Sequence, residues 1–138
     1  MSPTVRFSVS MEEELVAALD RMADKRGYGC RSEAIRDAIR AQLIEDEWDE
    51  SSAVVGVITL LYDHHTHGLS DKLTEIQHHA VECIIATTHI HLGANACLEL
   101  IAVRGDAITI RSLADRLRSL RGVKHGDLTG TSTGVRLP

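Results

Sequence analysis

His89 and His91 stand two residues apart in an apolar, β-branched run, and Cys97 follows six residues after His91. On a strand, residues i and i+2 leave the same face, so both imidazoles project from one side. Gly93 to Asn95 reads as a turn, and a hairpin through it brings Cys97 back beside the histidine pair. Two imidazoles and a thiolate at one strand end are a set of soft metal ligands. The same spacing also fits two half-buried histidines near an unrelated cysteine. A fourth ligand has to come from elsewhere.

The chain has eight histidines in 138 residues, an unusual density, and all lie from His64 onward. His78 and His79 fall near the end of the helix that precedes the histidine strand, and one of them is a candidate fourth ligand. His64, His65 and His67 form a looser cluster that fits a polar loop or a weak secondary site. His125 has no evident partner. Cys83 shares strand parity with His89, but at ~3.3 Å per residue it lies about 20 Å away and is not a ligand of the same metal. Cys30 reads as structural or incidental. Glu99 shares the strand face of Cys97, where it either orients a ligating histidine or faces solvent. No glycine-rich phosphate loop, Ser-His-Asp arrangement or carboxylate pair at catalytic spacing is present, which points away from an enzyme.

Elements must position these groups. Ala53 to Tyr62 is a β-rich run, Leu69 to His79 is helical through Leu69, Leu73 and Ile76, and Val81 to Leu92 is a strand. Ala96 to Val103 returns as a strand, Ile108 to Leu120 is helical, and Val123 to Leu128 suits a last strand. The order is β-α-β-β-α-β, a ferredoxin-like unit. The tail after Gly130 is expected to fray.

The first half differs. Val5, Phe7 and Val9 alternate with Arg6, Ser8 and Ser10, giving a short strand with one polar face. Ser10 and Glu13 fit a capping box, Leu15 to Ala23 has helical spacing, and Gly27 ends that helix. Ser32 starts a second helix with Ile35, Ala38, Ile39 and Leu43 as its stripe. So small a strand-helix-helix unit cannot bury a sufficient core alone and is expected to dimerise. The fold class is therefore α+β, a βαα unit over residues 1–48 followed by the ferredoxin-like unit over 53–138. The acidic stretch around Trp48 to Ser52 reads as the hinge between them.

Net charge is -5, yet the first 40 residues carry seven bases and seven acids, so the acidic excess lies further on. A neutral module binds DNA when its bases cluster on one face. Arg6, Ser8 and Ser10 can donate to base edges and phosphates, and strands paired from two chains fit a major groove. An ordinary polar strand face fits the same alternation. Arg31 and Ser32 open the second helix, whose free N–H groups suit a phosphate. No apolar run approaches the roughly 20 residues of a membrane helix. The N-terminus lacks a signal-peptide core, and three cysteines cannot all pair within one chain, so a reduced, cytoplasmic protein is expected.

Arg6-Phe-Ser-Val-Ser10, Arg26-Gly-Tyr28 and Arg31-Ser-Glu-Ala-Ile-Arg-Asp37 resemble the ribbon-helix-helix part of nickel-responsive repressors of the NikR family. Gln77-His-His79, His89-Ile-His91, Cys97-Leu-Glu99 and His125-Gly126 resemble that family's metal domain, which is also described as ACT-like. The likeness runs from about residue 5 to residue 128. It implies a homotetramer, a dimer of dimers, that binds operator DNA in the major groove. It implies square-planar Ni(II) held by His89, His91 and Cys97 of one subunit and His78 of another. Tyr62 and His64 match positions near the nickel, and Arg6, Ser8 and Ser10 match base-reading positions where threonines are usual. Glu33 and Asp37, four apart on one helix face, match a second cation site, commonly for K+. Two departures stand out: Thr66-His67 replaces a Lys-Arg pair, and Leu60 replaces a second tyrosine near the site. The resulting expectation is a nickel-dependent repressor. A ribbon-helix-helix regulator sensing an amino acid or other small molecule is the alternative.

Overall fold

A computed structural model describes residues 3–50 and 52–138. Met1, Ser2 and Ser51, the last within the expected hinge, lie outside the described residues. Two compact units are present, Met1–Leu43 with Leu137–Pro138, and Ile44–Arg136.

In the first unit, helix α1 spans Glu13–Arg26 and helix α2 begins at Arg31. Gly27 closes α1 in the left-handed region at φ 75°, and the Tyr28 N–H returns to the Ala23 carbonyl at 2.9 Å, a glycine-dependent helix stop. The expected capping box does not form. Glu12 occupies the N-cap with extended geometry and no side-chain cap bond, because the chain stays extended two residues beyond Ser10. The expected strand over Val5 to Val9 is also absent, since a strand needs a neighbour to pair with. Val5, Phe7 and Val9 are 77%, 76% and 62% exposed. Ala23 and Ala34 are buried, while Leu15 and Ile39 from the apolar stripes are about half exposed. Two helices without a third layer bury little, so this unit holds a core surface rather than a closed core.

The second unit contains a four-stranded sheet. Strand β1 is Ala53–Asp63, helix α3 Leu69–His79, strand β2 Ile84–His91, strand β3 Ala96–Asp106, helix α4 Ala107–Arg118 and strand β4 Val123–Thr131. The spatial order is β2-β3-β1-β4 with every neighbouring pair antiparallel. This is the ferredoxin-like arrangement. On β1 every second residue from Val54 to Tyr62 is buried, and on β3 the buried set is Cys97, Glu99, Ile101 and Val103. Leu69 and Leu73 of α3, and Ile110, Leu113 and Leu117 of α4, complete that core. The opposite sheet face carries Val57 and Ile90 at 38% exposure each, with Leu61, Leu98 and Leu100 half-buried.

Several boundaries move. α2 runs through Asp49, so the acidic stretch is helical almost to its end, and Trp48 is buried in the core of the second unit rather than lying in a linker. β2 starts at Ile84 because α3 is followed by tight turns, with the Cys83 N–H bonded to the Ala80 carbonyl at 3.0 Å. β3 extends to Asp106, which then caps α4 by accepting from the Thr109 N–H at 3.3 Å. β4 continues to Thr131, paired with Val55, and Arg136 forms an ion pair with Glu50 at 2.8 Å, so the tail has partners where fraying was expected. Among the described residues no helix is long and apolar enough to cross a membrane.

Ile58 has no solvent exposure. Ile58→Ala should therefore lose about 2–5 kcal/mol of stability, read as a lower midpoint in denaturant titration with an unchanged slope. Ile108, 72% exposed, should tolerate the same change within about 0.5 kcal/mol. Equal losses at the two positions would contradict this assignment of the core.

Candidate metal centre

Registry brings the sequence candidates together. On β2 and β3, His91 lies directly opposite Cys97 and His89 opposite Glu99. On β1 and β3, Tyr62 lies opposite Cys97. Since alternate residues share a face, His89, His91, Cys97, Glu99 and Tyr62 all occupy the face that the helices cover. The hairpin expected from the spacing is the one observed, with the Leu92 N–H bonded to the Ala96 carbonyl at 2.8 Å.

Glu99 organises the centre. It has no solvent exposure, and a buried carboxylate must be satisfied by donors. The Tyr62 hydroxyl donates to Oε2 at 2.8 Å, and the Gln77 amide donates to Oε1 at 2.7 Å. His89 Nε2 stands 3.7 Å from Oε1, and its Nδ1 is 3.4 Å from the Tyr62 oxygen. Burial, followed by hydrogen bonding with Cys97 and Glu99, pushes the Tyr62 phenol far above its ordinary pKa. The phenol therefore stays protonated and serves as a donor.

Cys97 is 2% exposed, whereas both histidines are open to solvent. His78 and His89 line one cleft of about 290 Å³ with Tyr62, Gln77 and Glu99. His64 lies at the hairpin end, its ring 5.4 Å from that of His91 in an edge-on arrangement, and its Nδ1 is buried without a hydrogen-bond partner. The donor chemistry, thiol plus imidazoles on one face, suits a borderline-soft divalent cation. Among the described residues, however, no group of three or more His, Cys, Asp or Glu side chains is gathered closely enough to hold a metal ion. In this chain the His89 ring is turned toward Tyr62 and Glu99 instead.

The remaining candidates are dispersed. His65 reaches the Ala94 carbonyl at 3.1 Å, and His79 contacts the Glu75 carbonyl at 2.8 Å. His67 and His125 are exposed. Cys83 is buried and its thiol pKa is raised by that burial, while Cys30 is exposed. Arg6, Ser8 and Ser10 are exposed outside any strand. Arg31 opens α2, one residue before the expected start, with its guanidinium bonded to both Asp20 oxygens at 2.7 and 2.8 Å. Ser32 follows it, exposed. Glu33 accepts from the Gly29 N–H at 2.9 Å, and Asp37 accepts from the Tyr28 hydroxyl. Gln77, quoted above only within Gln77-His-His79, is the Glu99 partner that spacing did not single out: it sits four residues after Leu73 on the apolar stripe, and a polar side chain at such a position signals a buried partner.

Residues 55–131 match the family model described as the NikR C-terminal nickel binding domain. Residues 5–46 match the ribbon-helix-helix, copG family model. A protein of Geobacter sp. (strain M21), described as "Putative nickel-responsive regulator", is 50% identical over 138 residues and 99% of each chain. A protein of the same description from Geobacter sulfurreducens is 48% identical over 99% of each chain. The solved structure of an uncharacterized protein from Thermotoga maritima is similar at TM-score 0.53 and 16% identity, covering 57% of this chain and 98% of that one. That likeness bears on the fold alone. With more than half of its length matched by the metal-domain model and full-length relatives near 50% identity, the chain belongs to the NikR family.

Proposed function

We propose that this protein is a nickel-dependent transcriptional repressor of the cytoplasm, a regulator and not an enzyme. The observation that carries the reading is the direct cross-strand pairing of His91 with Cys97, with His89 on the same face. Ni(II) is held by His89, His91 and Cys97 of one subunit and His78 of another. Tyr62, Glu99 and Gln77 orient His89, and His64 packs beside His91. When bound, the metal supplies a crosslink between chains. The assembly is a homotetramer, a dimer of dimers. The exposed apolar residues of the N-terminal segment and the half-exposed sheet face at Val57 and Ile90 support such contacts.

Two copies of residues 5–10, paired as a ribbon, place Arg6, Ser8 and Ser10 in the major groove of operator DNA, and Arg31 and Ser32 at the start of α2 meet a phosphate. Nickel biases the assembly toward the operator-competent arrangement, a coupling between two sites. A K+ ion at Glu33 and Asp37 is the accompanying cation site. There the carboxylates exchange their Gly29 and Tyr28 donors for the ion.

The deciding measurement is a gel shift on the promoter region of the chain's own gene with and without Ni(II). Retardation only with the metal is expected, and metal-independent or absent binding overturns the reading. In the same assay Arg6→Ala should cost roughly 1–3 kcal/mol of operator affinity with nickel affinity unmoved. Undiminished operator binding in that variant removes the ribbon from the mechanism. Asp37→Ala should weaken operator binding in a potassium-dependent way, and parental behaviour at every potassium concentration would discard the second cation site.

The shared ligand set has its own test. His78→Ala and Cys97→Ala chains should each lose full nickel affinity. Mixing them should restore nickel–thiolate charge-transfer absorption, because a mixed tetramer contains intact sites only if two chains contribute to each. No recovery despite proven subunit exchange would mean a site closed within one chain.

A further inference from the structure

The last turns of α2 belong to the second unit. Ile44 and Trp48, four residues apart on one helix face, both pack into the core of that unit. Trp48, the only tryptophan in the chain, is 7% exposed.

The indole lies on a pair of glycines. Gly56 of β1 is directly opposite Gly130 of β4. A Cβ added to Gly130 would stand 2.5 to 2.7 Å from Cε2, Cζ2 and Nε1 of the indole, and one added to Gly56 would stand 3.3 Å from Cη2. Neither glycine has a positive φ among the backbone angles of the described residues, so close approach of the ring, rather than a turn, explains them. Glycine is a poor strand residue and in a strand interior often marks such an approach. The indole N–H donates to the Thr131 carbonyl at 3.0 Å, which fixes the ring's rotation. Arg111 of α4 stands 5.6 Å from the ring centroid, and its guanidinium is 3.6 Å from Asp49 one residue further along α2. β1, β4 and α4 thus all contact one side chain.

Strand β1 connects this seat to the metal centre. Gly56 and Tyr62 are on the same face of β1, and Tyr62 lies opposite Cys97. Six residues of strand separate them, about 20 Å, and β1 is hydrogen-bonded along both edges to β3 and β4. A strand paired on both sides transmits displacement rather than absorbing it. At the other end, α2 continues without a break back to Arg31.

We infer that Trp48, seated on the Gly56–Gly130 pair, is a positioning residue for the nickel response: it fixes the last turns of α2 on the sheet that carries the metal ligands, and operator binding depends on nickel through that seat. The inference rests on the repressor reading above.

The test uses the full-length protein, with Ni(II) affinity and operator affinity with and without Ni(II) measured on the parent and on two variants. Tryptophan emission is measured on the parent and on Gly130→Ala, since Trp48→Phe removes the only tryptophan. Gly130→Ala pushes the indole out of its seat. Trp48→Phe keeps an aromatic ring, loses the bond to Thr131, and remains available if Gly130→Ala does not fold. In Gly130→Ala the emission should shift to the red, and nickel affinity should stay within about twofold of the parent. The ratio of operator affinities with and without nickel should fall by on the order of tenfold in Gly130→Ala, and less in Trp48→Phe. A merely structural role would lower nickel affinity and both operator affinities together, leaving the ratio intact. An unshifted emission in Gly130→Ala, or a parental ratio in the folded variants beside a responsive parent, overturns the inference alone. A parent that shows no nickel-dependent operator binding overturns the repressor reading, and the inference with it.

Discussion

A carboxylate without solvent access lies on the covered face of the sheet, and much of the second unit is arranged around it. Glu99 has no solvent exposure, and an unsatisfied buried charge costs several kcal/mol. Its two oxygens are met by a phenol from β1 and an amide from α3. Three elements distant in sequence are thereby held in one register. If β2 slipped by one residue, His89 would move to the opposite face and lose Glu99. The same acceptor that organises the core thus also decides where the imidazole points. An apolar residue at position 99 could fill the space but could orient nothing.

Much of this was legible in the sequence, for reasons tied to particular residues. The two-residue spacing of His89 and His91, and a turn of the right length before Cys97, sufficed for the hairpin and its shared face. The spacing of Leu69, Leu73 and Ile76 located α3, whose observed bounds are those expected. The partners of Glu99 were not legible. A lone carboxylate on a strand reads equally as solvent-facing, and the donor Gln77 lies 22 residues away in sequence. Trp48 was hidden because the acids around it suggested a linker. Helical periodicity does not reveal that one residue in such a stretch has a glycine-lined seat on two strands.

The two units differ in how far a single chain completes them. The ferredoxin-like sheet closes its core with its own helices, and its strands run to the lengths that their neighbours can pair. α1 and the part of α2 before Ile44 have no such layer. The exposed Arg31–Asp20 pair links them through side chains, and an exposed pair contributes little to stability. Leu15 and Ile39, from the apolar stripes of the two helices, stay about half exposed.

Residues 3–12 belong to neither helix nor strand, and this has a thermodynamic consequence. Fixing a residue's backbone costs on the order of 1 kcal/mol in conformational entropy. A segment of this length that orders only on meeting a partner subtracts roughly 10 kcal/mol from whatever its contacts gain. Its hold is then weaker than its contact area suggests, and steeply dependent on temperature. For the operator-binding ribbon proposed above, that loss would set how readily the segment is released.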